Sequence, residues 1–129
     1  MGYEVRLIVG QVCEWDKRQP QSFITMAEID LCKPGDCHML NLLVPGHNFP
    51  HVAVFGSDGD TQISQDRYGD KLYAIPIETF LPALAKDFTK SKDEYGGVGY
   101  RRFLWAYRLL SSMKRHGKHD KIHVVMFGH

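Results

Sequence analysis

The stretch CKPGDCHMLNLLVPGHNFPH, residues 32 to 51, carries two of the three cysteines and three of the seven histidines in the chain. Thiolate and imidazole are the donors zinc prefers, and Cys32-x4-Cys37-x9-His47-x3-His51 offers two of each in the order a Cys2His2 site uses. Such a site would make this a metal-stabilised domain or a zinc-dependent enzyme. A Cys2His2 finger, however, presents its histidines from a helix, and Pro50, between His47 and His51, disfavours helical backbone before it. The preferred reading is that Lys-Pro-Gly-Asp and Val-Pro-Gly-His mark turns and that the thiols are incidental. Zinc on Cys32, Cys37, His47 and His51 is the alternative.

Other constellations carry less. DGDTQISQD places Asp58 and Asp60 like the first ligands of a calcium loop, but Ile63 and Gly69 stand where such a loop needs Gly and a bidentate Glu. A solvated acidic loop is the expectation. FGSDG around Ser57 lacks the first glycine of a nucleophile elbow, and no helical pattern follows it. His116, His119 and His123 have helix-like spacing, yet Gly117 interrupts the helix. Asp93 and Glu94 fall in a polar connection with nothing to raise either pKa, so they are poor general acids. No catalytic signature emerges, and the reading leans away from an enzyme.

The strongest signal is electrostatic. Residues 100 to 121 hold seven Lys or Arg against one Asp, a net +6, within a chain whose formal charge is only +1. The remainder is therefore at −5. At 100° per residue, Phe103, Ala106, Tyr107, Leu109, Leu110 and Met113 share one helix face, and Arg101, Arg108 and Arg115 line the other with Trp105 beside them. Arg101 and Arg102 fall near the helix start, where cations are unfavourable and an anion is welcome. Gly97 and Gly99, just ahead of that start, would let a phosphate or carboxylate approach the free N–H groups, unless Asp93 and Glu94 supply the charge internally. Gly97-x-Gly99 is no dinucleotide fingerprint, because no strand precedes it. The expected function is a non-enzymatic binding module that uses Gly97, Gly99, Arg101, Arg102, Trp105, Arg108 and Arg115 against an anionic partner. An acidic protein surface is favoured over nucleic acid, since nucleic-acid-binding domains are usually more basic than +1. A homodimer, with the basic helix of one copy on the acidic loop 58–70 of another, is also compatible.

These residues need a scaffold, and 129 residues suit a single domain over 1–129 with a sizeable core. At 43% hydrophobic and 24% charged residues the composition is that of a soluble globular domain, with no apolar run long enough to span a membrane. The opening MGYEVR shows no leader or acylation signal, and an odd number of cysteines suits a reducing compartment, so a cytoplasmic location is expected.

Alternation of Tyr3, Val5, Leu7 and Val9 predicts a strand over 3–9, and Phe23, Thr25, Ala27, Ile29 and Leu31 predict a second over 23–31. A turn at 33–36 and a third strand over 37–44 would make a hairpin. It would put Ala27, Ile29, Leu31, Leu40 and Leu42 on one apolar face, with Glu28, Asp30, Asn41 and both thiols on the other. Further strands are expected at 51–55, 71–75 and 121–127. Phe80, Leu84 and Phe88 predict a helix over 79–90, with Thr79 as N-cap and Pro82 in its first turn, and a second helix runs over 100–116 to Gly117. The fold class is α+β: a mostly antiparallel sheet of about five or six strands, two helices in the C-terminal half and a closing strand.

Overall fold

The computed structural model describes residues 4–13, 20–32, 42, 48–55, 62–94, 97–117 and 121–129, excepting the side chains of 32 and 87–100. Six strands form one sheet: β1 (Val5–Val12), β2 (Gln21–Cys32), β3 (Val52–Phe55), β4 (Gln62–Ile63), β5 (Ala74–Pro76) and β6 (Ile122–Gly128). Two helices, α1 (Ile77–Glu94) and α2 (Gly97–His116), lie between β5 and β6 in the chain. The sheet order is β4-β3-β2-β1-β6-β5, antiparallel throughout except for the β2–β3 pair. The expected α+β architecture is present, with both helices in the C-terminal half and a strand closing the chain.

The sheet curls until its two sides meet. His51 and Tyr73 form an antiparallel bridge. Beside it the Val52 N–H donates to the Leu72 carbonyl at 2.9 Å, and the Ala74 N–H donates to that of Pro50 at 3.0 Å. This seam joins the start of β3 to the approach to β5, so the strands make a small barrel with two separate apolar layers. Ile8, Phe23, Val52, Val54, Leu72, Ala74 and Val125, drawn from five strands and the approach to β5, fill the inside. Val5, Leu7, Val9, Leu31, Val124 and Met126 point outward and are covered by Phe80 and Leu84 of α1 and by Phe103, Ala106 and Leu110 of α2.

One irregularity decides which residues face which layer. The β1–β2 register steps between Val9↔Ala27 and Gly10↔Thr25, leaving Met26 as an extra residue. A bulge of this kind bends the strand and reverses its facing. Strict alternation placed Phe23 with Ala27, Ile29 and Leu31; instead Phe23 lies inside the barrel while the other three face the helices. Gly10 sits opposite the bulge because the bent strand brings the Ile24 carbonyl against it, where a Cβ would collide. A second register step, between Val5 and Arg6, ends the ladder near Leu31.

Four local expectations also change. Helix α1 begins at Ile77, directly after β5, so Thr79 is an internal residue and not the cap. Pro82 then lies in the second turn, its ring exposed and one intrahelical bond missing. Helix α2 begins at Gly97 and not at Tyr100, since packing of the α1–α2 pair outweighs the weak helix propensity of glycine. Leu42, expected in a strand, sits in a short helical turn but still packs on the helix-side core with Ala27 and Ile29. The remainder of the expected strand 37–44 and its turn lie outside the described residues.

Candidate functional sites: the outer face of α2 and the barrel mouth

Phe103, Ala106 and Leu110 recur at helical spacing and are buried, with Tyr107 and Met113 half-buried beside them. The opposite side of α2 must therefore point away from the sheet. Arg101, Arg108 and Arg115 are exposed there, as the periodicity requires, and Trp105 leaves 56% of its surface in solvent. Lys114 and Arg115 carry the positive charge into the last turn, where it complements the helix dipole. The Gly117 N–H closes the helix on the Met113 carbonyl at 2.8 Å.

Arg102 departs from this pattern. It is half-buried, and its Nη1 donates to the Asp30 carbonyl at 2.8 Å, so it ties α2 to β2 and does not join the exposed stripe. Because α2 starts early, Gly97 and Gly99 lie within its first turn, and Arg101 and Arg102 are in the second, where the positive end of the dipole has largely faded. The electrostatic tension expected at Arg101 and Arg102 is correspondingly small.

Of the four residues of the zinc reading, Cys37 and His47 lie outside the described residues. Cys32 ends β2. His51 is half-buried, its Nε2 3.2 Å from the Ser64 carbonyl and its ring 5.8 Å from that of Tyr73, so the imidazole braces the barrel seam. Among the described residues, no three His, Cys, Asp or Glu side chains approach closely enough to hold a metal ion. The third cysteine, Cys13, is a buried free thiol at the end of β1. Asp58, Asp60, Ser57 and His119 fall outside the described residues. Beyond β4, Asp66 Oδ1 accepts the N–H groups of Tyr68 (2.8 Å) and Asp70 (3.0 Å) around Gly69, whose φ of 84° needs a glycine. That carboxylate organises its own turn.

A second candidate site was not anticipated. At the end of the barrel where β1 begins and β3 and β6 finish, a cavity of about 650 Å³ opens to solvent. Its described walls include Ile8, Val54, Ile63 and Phe127, with Ile24 and Phe55 at the lip and Arg6, Glu28, Asp66 and Arg67 among the polar groups. Alternation along β1 sets this gradient from apolar to polar: Ile8 faces inward and Arg6, two residues earlier, follows it toward the mouth. Next to the mouth, His129 Nδ1 lies 3.5 Å from Glu4 Oε2, and the buried Nε2 lies 3.7 Å from Asp30 Oδ2 without a hydrogen bond. Its ring stacks on Phe127 at 6.4 Å between centroids. These residues come from distant parts of the chain, so no local spacing announces them.

No helix among the described residues is long and apolar enough to cross a membrane. Comparison of the whole chain with protein-family models, curated proteins and solved structures returns no match.

Proposed function

We propose that this chain is a non-enzymatic binding module whose α2 outer face engages an acidic protein surface. The observation that supports this most is Trp105, 56% exposed in the middle of a helix whose outer side otherwise carries Arg101, Arg108 and Arg115. A solvated charge stripe has no use for an exposed indole, whereas aromatic and arginine side chains are the commonest energetic anchors of protein interfaces. Arginine also matches carboxylates with two parallel hydrogen bonds. A modest overall charge of +1 favours a protein partner over nucleic acid.

The test is retrieval of partners by the wild type and by the triple variant R101Q/R108Q/R115Q, with and without nuclease. The triple variant keeps its melting temperature within a degree or two, since exposed charges add little stability. It loses its partners, and Trp105→Ala weakens binding by about 2 kcal/mol or more. Binding that disappears with nuclease and falls log-linearly with salt would replace the protein partner by nucleic acid. Identical partner sets for wild type and triple variant would reduce the stripe to a solvated face.

A further inference from the structure

We infer that the barrel mouth is a binding site for a small amphipathic carboxylate, with the apolar body inside and the anionic group at Arg6. The cavity, about 650 Å³, is within the range of pockets that enclose small organic ligands. Ile8 and Val54 form a buried apolar floor, and Ile63 and Phe127 add half-buried walls. At the lip Ile24 and Phe55 leave 48% and 49% of their surfaces in water, an exposure that an apolar ligand would relieve.

The polarity of the ligand follows from the cations. The Arg6 side chain is half-buried, faces the cavity and makes no hydrogen bond or ion pair with another described residue. A partly desolvated guanidinium of this kind is a ready partner for a carboxylate, which it can meet with two parallel bonds. Arg67 is held over the same opening by its backbone N–H, which donates to the Gly128 carbonyl at 3.0 Å. Of the two acids at the rim, Asp66 is engaged with the backbone of its turn, and Glu28 is exposed. The rim thus carries two cations and two carboxylates, and Arg6 is the half-buried charge left without a partner among the described residues, which places the anionic group of a ligand there.

This site is independent of α2, and its test separates the two. The probe is 1-anilinonaphthalene-8-sulfonate, an apolar body with one anionic group, titrated by fluorescence into folded protein and displaced with decanoate or with decylammonium of equal chain length. One saturable site is expected, displaced by decanoate and not by decylammonium. Affinity drops about tenfold or more in R6Q/R67Q, the loss expected when a charge-assisted hydrogen bond is removed. R101Q/R108Q/R115Q binds the probe like the wild type. Arg67→Gln alone, at an exposed position, guards against an unfolded double variant and should weaken binding in the same direction. Non-saturable binding, equal displacement by the cation, or full affinity in a folded R6Q/R67Q would each overturn the assignment.

Discussion

At Gly10 a methyl group would meet the Ile24 carbonyl, and because this is a clash with backbone on a paired strand, no rotamer change relieves it. Gly10→Ala should therefore lower the unfolding free energy by about 3 kcal/mol or more, the upper end of overpacking losses, as read from urea denaturation. Gly69→Ala, with open space around it but φ at 84°, should cost only about 1–2 kcal/mol. A second contrast lies between neighbours in α2. Arg102 hydrogen-bonds the Asp30 carbonyl and Arg101 is exposed, so Arg102→Ala should cost about 1.5 kcal/mol or more and Arg101→Ala less than about 0.5. The zinc reading is decided by native mass spectrometry of protein purified without added metal. A bare-chain mass and a melting temperature indifferent to chelator would remove it.

Among the elements, those legible in the sequence are the ones with uninterrupted periodicity. The face assignment in α2 follows from seven-residue repetition, Phe103 to Leu110 inside and Arg101 to Arg108 to Arg115 outside. Leu110→Ala should accordingly cost about 2–5 kcal/mol and Arg108→Ala under about 1, and similar losses at both would mean a rotated helix. Where a bulge intervenes, the period misleads: Phe23 is of the same parity as Ala27 but faces the opposite layer because Met26 is inserted between them. Helix starts were misread for a related reason, since Thr79 and Tyr100 look like beginnings only until tertiary packing extends both helices backward. The cavity was illegible altogether. Arg6, Val54, Arg67 and Phe127 become neighbours only through sheet closure, which no stretch of local pattern encodes.

Over the whole molecule the seam at His51 and Tyr73 matters most, because it turns an open sheet into a barrel. The amides of Val52 and Ala74, donors across that seam, should exchange with solvent as slowly as those of β1. Fast exchange at both would show that the barrel opens there independently of its core. The placement of β6 between β1 and β5 has a different consequence, one that concerns manufacture. One edge of β1 is completed only by a strand whose first residue, Ile122, lies more than a hundred positions later. At roughly 5–20 residues per second, a nascent chain carries that unpaired edge for on the order of ten seconds before its partner is made. Throughout that interval Val5, Leu7 and Val9 are an open invitation to the wrong strand, so the yield of native protein should depend on synthesis speed and on chaperones that shield the N-terminal β-hairpin.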